Sequence, residues 1–172
     1  MGARLALTMF EENPDSITKL VLLAPDGLKV NKWYWLATQS YAGSRLFSFT
    51  MKYPQWFLIL MNALAAVGLV NSSIYKFVRH YIQTPEVREL LFKRWICMRK
   101  FRPSLPKIKK QILSKKIPIK LLYGKHDKMI LPARGKKFQI GIESFCTLHV
   151  IDSGHQVLHE KNAALIAKLL ET

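Results

Sequence analysis

Two side chains set what chemistry this chain can reach. Asp127 lies in the turn Gly124-Lys125-His126-Asp127, and His155 in the turn Asp152-Ser153-Gly154-His155. Each turn contains glycine and follows an apolar run. An acid bonded to one imidazole nitrogen fixes the tautomer, supports the imidazolium and leaves the other nitrogen as a general base. That is the orienting half of a Ser-His-Asp machine. A third turn, Pro25-Asp26-Gly27, offers Asp26 as an alternative acid. Taken singly, such an Asp is an ordinary turn former. The pairing on consecutive strand ends is what suggests a site.

Turns of this kind need strands to hold them. Leu20 to Ala24, Ile117 to Tyr123 and Thr147 to Ile151 are short apolar runs closed by glycine-containing turns. This pattern predicts strands buried on both faces, as in a parallel sheet. Ligands of such sheets bind at the C-terminal strand ends, where all three turns fall. Residues 3–12 predict a helix ended by Asn13-Pro14, and Pro132 to Ile142 predicts another. Lys161 to Leu170 predicts an amphipathic helix with Ala163, Ile166, Ala167 and Leu170 on one face. The expected class is α/β, with three parallel strands, flanking helices and an all-helical insertion. Residues 1–27 and 107–172 are the expected core pieces, and 28–106 the insertion, punctuated by Pro54, Pro85, Pro103 and Pro106.

The composition fits a globular domain: of 172 residues, 49% are hydrophobic and 22% charged. Cys97 and Cys146 are too far apart for a CxxC site, and two cysteines suit a reducing compartment. No residues have metal-ligand spacing and no Gly-rich phosphate loop occurs, so neither metal nor cofactor is expected. The opening residues lack a secretory pattern, and the apolar run Trp56 to Val70 falls short of the roughly 20 residues that span a bilayer. The expected location is cytoplasmic, with peripheral membrane attachment as a variant.

The net charge is 27 − 11 = +16, and residues 74–120 hold 14 Lys/Arg against Glu86 and Glu89. Such a segment is either the solvated face of an exposed helical insertion or a contact for an anionic partner, whether membrane surface, substrate or nucleic acid. Charge alone, without a reading motif, does not predict nucleic-acid binding.

Three blocks, ITKLVLLAPDG (17–27), IPIKLLYGKHDKMILP (117–132) and LHVIDSGHQVLHEKN (148–162), resemble the α/β-hydrolase fold family. The resemblance covers roughly 90 residues flanking a variable lid, the place of the insertion here. It implies that Asp127, in strand-G-x-x-D, is the catalytic acid. It likewise implies that His155 is the catalytic histidine, with Glu160 opening the last helix. The family's nucleophile lies in G-x-S-x-G at a strand-to-helix turn. Met1-Gly2 match the last two positions of that motif, so the serine is expected immediately before Met1. The Met1 backbone N–H would then be the first oxyanion donor.

None of Ser16, Ser40, Ser44, Ser48, Ser72, Ser73, Ser104, Ser114, Ser144 and Ser153 lies in G-x-S-x-G. Ser153 shares a turn with His155, a poor geometry for attack through that imidazole. The reading is therefore a serine-type hydrolase recorded as a C-terminal fragment, inactive as written and poorly soluble alone. Its implied substrate is a small ester-like molecule with an apolar moiety. Trp33, Tyr34, Trp35 and Trp56 would either line the substrate pocket or pack the lid. The alternative is a non-catalytic protein that uses the basic insertion to bind a membrane or a partner.

Overall fold

The computed structural model describes residues 1–29 and 32–171, except the side chains at 32, 33, 72–74 and 77. Trp33, Ser72 and Ser73 therefore lie outside the described side chains. The chain divides into two compact units. One is Met1–Lys29 with Phe101–Thr172, the other Val30–Lys100.

The first unit opens with helix α1 (Gly2–Glu12), whose Leu7 and Phe10 are fully buried. Burying two such side chains stabilises by about 2–3 kcal/mol each. After a 3-10 turn at Pro14–Ser16, strand β1 (Leu20–Leu23) begins the sheet. The sheet continues with β2 (Ile119–Gly124) and β3 (Cys146–Ile151), in the order β1-β2-β3. Both pairings are parallel, with Leu20 opposite Ile119 and Ile119 opposite Cys146. Against the sequence reading, β1 stops one residue earlier, because Ala24 turns to positive φ before Pro25. Strand β2 starts at Ile119 and runs on to Gly124.

Side chains alternate across the sheet with period two. Ile119, Leu121 and Tyr123 of β2 join Leu20, Leu22, Cys146, Leu7 and Phe10 in the larger core. Leu122 points the other way, to Val157, Ile166 and Leu169. Two-sided burial explains why these strands read as continuous apolar runs.

Helix α7 (Leu105–Lys115) is an element the sequence reading lacked. Its Ile108 and Ile112 are fully buried in the larger core, and it packs on α1. Four lysines in the span disguised it as a solvated basic run. The usable signals were Pro106 in the first turn and the i, i+4 isoleucine pair. Lys116 ends it in the left-handed conformation, φ 54° and ψ 38°.

Helix α8 (Pro132–Gln139) stops three residues short of the expected Ile142, where the chain leaves helical geometry at Ile140 before Gly141. Helix α9 (Ala163–Glu171) follows a 3-10 turn at Glu160–Asn162, so Glu160 opens that turn rather than the helix proper. Its buried face is Ile166 with Leu169, while Ala163, Ala167 and Leu170 are exposed. The expected face was wrong because the helix is apolar nearly all round, so its pattern cannot fix its rotation.

The second unit holds α2 (Lys32–Gln39), α3 (Tyr41–Lys52), α4 (Gln55–Ala66), α5 (Ser72–Gln83) and α6 (Pro85–Met98). No strand occurs among its described residues. Aromatic rings pack it internally: Tyr34 meets Trp95 edge-on at 5.1 Å, and Phe47 stacks on Trp95 at 5.2 Å. The Tyr34 hydroxyl donates to the Trp95 carbonyl at 3.1 Å. Helix α4 is stopped by Gly68 at φ +71°, with Gly68 N–H on the Ala65 carbonyl and Leu69 N–H on that of Leu64. This paired closure needs a left-handed residue, hence glycine. Among the described residues, no helix is long and apolar enough to cross a membrane.

Candidate active site

Strand β2 delivers its chain end to Gly124, and β3 delivers the neighbouring end to Ile151. The two following loops are then stitched together. Lys125 N–H donates to the Ile151 carbonyl at 2.8 Å, and His126 N–H to the Ser153 carbonyl at 3.0 Å. A Cβ on Gly124 would lie 2.1 Å from the Gly154 carbonyl oxygen and 2.5 Å from that of Ser153. Only glycine permits that approach.

Within this frame Asp127 is 2% exposed, and both of its oxygens are used. Oδ1 accepts from the backbone N–H groups of Met129 at 2.7 Å and Ile130 at 2.9 Å. Oδ2 stands 2.8 Å from His155 Nδ1. Burial alone pushes the Asp127 carboxyl pKa up. Hydrogen bonds from Ile130, the His155 imidazole and Met129 outweigh it, and the net pKa is lowered. The acid is thus held as a carboxylate, so the Nδ1 of His155 carries the proton of their hydrogen bond, and in the neutral imidazole that tautomer leaves the lone pair on Nε2.

The imidazole side chain is 48% exposed, and among the described residues Nε2 has no hydrogen-bonding partner. His155 is fixed from its own chain as well, its carbonyl accepting from Val157 N–H at 3.0 Å. A nucleophile brought to Nε2 would meet an oriented base.

The other candidates are placed differently. Asp26 accepts from Arg4 Nη2 at 2.9 Å and makes no hydrogen bond to His155. Met1 caps α1, half-exposed, with its carbonyl accepting from Arg4 N–H at 3.0 Å. Ser153 donates through Oγ to the Gln156 carbonyl at 3.4 Å, as a turn residue does. No described serine side chain bonds to His155. His159 caps the 3-10 turn through Nδ1, and His149 sits half-buried in β3.

Cys146 is buried, and burial, the largest influence, pushes its thiol up to about 11. That holds it as an inert thiol. Among the described residues no group of His, Cys, Asp or Glu could hold a metal ion.

Two features escaped the sequence reading. Arg4 occupies Asp26. The surface pair His126 Nε2 and Asp152 Oδ1, 2.7 Å apart, runs opposite to the Asp127–His155 pair across the same two loops. The signal for the second was present, since each loop carries one Asp and one His.

The sequence model of the serine aminopeptidase S33 family matches residues 1–162. Among solved structures, the chain is similar to the 2-hydroxy-6-oxo-6-phenylhexa-2,4-dienoate hydrolase from Rhodococcus sp. strain RHA1. The identity is 18% and the TM-score 0.53, over 99% of this chain and 60% of that one. It is also similar to the thioesterase domain from the curacin biosynthetic pathway, at 16% identity and TM-score 0.45, over 99% and 63% of the two chains. A third is MGS-M2, an α/β hydrolase from a Medee basin deep-sea metagenome library, at 18% and 0.44, over 99% and 61%. The chain thus spans under two thirds of the length of these structures. No curated protein matches it.

Proposed function

This chain belongs to the serine aminopeptidase S33 family, with an α/β-hydrolase fold, and from that premise we propose that it supplies the acid and base of a serine hydrolase. The observation that carries the reading is the 2.8 Å contact between His155 Nδ1 and a buried Asp127 whose other oxygen is tied to two backbone N–H groups. In this mechanism Nε2 of His155 takes the proton of a serine Oγ as that oxygen attacks an acyl carbonyl carbon. The tetrahedral oxyanion is met by backbone N–H groups, of which that of Met1 is one. His155 then protonates the leaving group, and water resolves the acyl-enzyme by the same route reversed. The serine is assigned to the segment before Met1, on two grounds. No G-x-S-x-G occurs within the 172 residues, and the chain spans about 60% of the Rhodococcus hydrolase. We read the substrate as an ester or related acyl compound with an apolar moiety, on the strength of the aromatic-rich insertion.

The test begins with the coding sequence upstream of Met1. An in-frame G-x-S ending there is expected. The extended chain should hydrolyse p-nitrophenyl butyrate and label with a fluorophosphonate probe. An aminoacyl p-nitroanilide, run in parallel, separates ester from peptidase specificity. His155→Ala should abolish both turnover and labelling. An extended chain in which His155→Ala turns over as fast as the parent would refute the assignment.

A further inference from the structure

Residues 27–85 contain no Asp or Glu and six Lys/Arg, and at the centre of this stretch residues 53–75 carry no charge at all. An uncharged segment of that length would ordinarily be buried. Here it is not. Ile59, Ala63 and Val67 follow one another along α4 and its C-cap at intervals of four residues, all exposed. Ile59 and Val67 are each 68% exposed, and Leu69, just past the Gly68 cap, is 75% exposed. The helix therefore presents a stripe of bare aliphatic side chains to solvent, extended by the turn that ends it.

The rim of this stripe has its own chemistry. At its start Lys52 lies over the Tyr53 ring at 5.3 Å. Along its flank the Tyr75 hydroxyl donates to Asn62 Oδ1 of α4 at 2.8 Å, and Arg79 lies over the Tyr75 ring at 6.0 Å. Both cations thus stand on amphipathic tyrosines at the border of an apolar face. That is the arrangement of residues at a lipid–water interface, with aliphatics in the acyl boundary, tyrosine at headgroup level and Lys/Arg toward phosphate.

We infer that the exposed face of α4, with Val67 and Leu69, docks on an anionic lipid bilayer. At 12 residues, α4 is about 18 Å long. That is shorter than the roughly 30 Å hydrocarbon core, so the helix lies within one leaflet and does not span. The absence of acidic residues selects the partner's charge. It also disfavours a second copy, since two such faces would bring like charges together. The sequence reading placed membrane contact on the basic helices after residue 74; the inference moves the contact to uncharged α4 and leaves the cations as its rim. It is independent of any hydrolytic activity.

The experiment is flotation of the full chain through a density gradient. One arm uses phosphatidylcholine vesicles, the other the same lipid with a third phosphatidylserine. Aggregates sink, so floating protein reports binding alone. The chain should float with the anionic vesicles and stay behind with the neutral ones. Lys52→Gln with Arg79→Gln should weaken the vesicle partition constant about 25-fold, roughly fivefold per charge. Ile59→Asp with Val67→Asp should abolish flotation, and both positions are exposed enough to accept Asp without disturbing the fold. Lys136→Gln with Lys137→Gln, on α8, removes the same charge elsewhere and should float like the parent. Equal flotation with both vesicle types overturns the inference, as does flotation of the double-Asp variant or equal weakening by the α8 control. A face that instead pairs two copies would give no flotation and a dimer that the double-Asp variant splits, which also overturns it.

Discussion

Gly124→Ala tests whether the two site loops are held by contact distance. The added Cβ would sit 2.1 Å from the Gly154 carbonyl oxygen, where real Cβ contacts essentially never fall below 3.0 Å. The loops must therefore separate by at least 3.0 − 2.1 = 0.9 Å. If that movement runs along the bonds, Lys125 N–H to the Ile151 carbonyl goes from 2.8 to about 3.7 Å, beyond hydrogen-bonding range. His126 N–H to the Ser153 carbonyl goes from 3.0 to about 3.9 Å. The Asp127–His155 contact opens from 2.8 to about 3.7 Å. Two backbone bonds at about 1 kcal/mol each and one charge-assisted bond at about 2 kcal/mol set an upper bound near 4 kcal/mol.

Partial accommodation halves this, so the expected loss is about 2–4 kcal/mol, or a fall in Tm of roughly 5–15 °C. Thermal unfolding by circular dichroism reads the stability, and the imidazole N–H resonance of His155 reads the contact itself. Gly154→Ala is the control. It has open space at its Cβ, so it should leave both readouts unchanged although it is the other glycine of the pair. If Gly124→Ala melts within 2 °C of the parent and keeps the His155 resonance, the contact argument is wrong.

Three further outcomes are expected. The Asp127 carboxyl pKa is lower folded than unfolded, so its contribution to stability is complete above the ordinary carboxyl range and lost as pH falls through the lowered value. Asp127→Asn should accordingly reduce Tm at neutral pH and flatten its dependence on acidification, measured by melts across that range. With a colorimetric thiol reagent, Cys97, exposed, should react at once and Cys146 only on unfolding; two fast thiols would contradict the burial of Cys146. Lys116→Gly relieves a left-handed residue at the end of α7 and should stabilise by about 0.5–1 kcal/mol in denaturant titrations, whereas a loss would show that the lysine side chain contributes more than its backbone costs.

The strands were legible because two-sided burial leaves a run such as Leu20–Leu23 no polar position. The turns after them were legible because Asp and Gly have few other reasons to recur there. Asp127 and His155 were readable as a pair for the same reason, and they lie in contact. What the sequence hid was local compensation. Lysines around Ile108 and Ile112 masked α7, since four charged side chains outweigh two isoleucines in any average over the segment. The rotation of α9 was hidden because Lys168 is the only charge among its first eight residues. Arg4 and Asp26 lie 22 residues apart on different elements, and their pairing depends on the packing of α1 beside the end of β1.

The parallel order β1-β2-β3 has a kinetic consequence. Pairing β2 with β3 joins Ile119 to Cys146, closing 146 − 119 = 27 residues, whereas pairing β1 with β2 joins Leu20 to Ile119, closing 119 − 20 = 99 residues. Loop-closure entropy grows with the logarithm of length, so the second closure costs about 1.2 kcal/mol more. The β2–α8–β3 crossover unit is therefore expected to assemble first, with β1 docking late. Until it does, the edge of β2 that β1 will pair with stays open, and its partner lies 99 residues away along the chain.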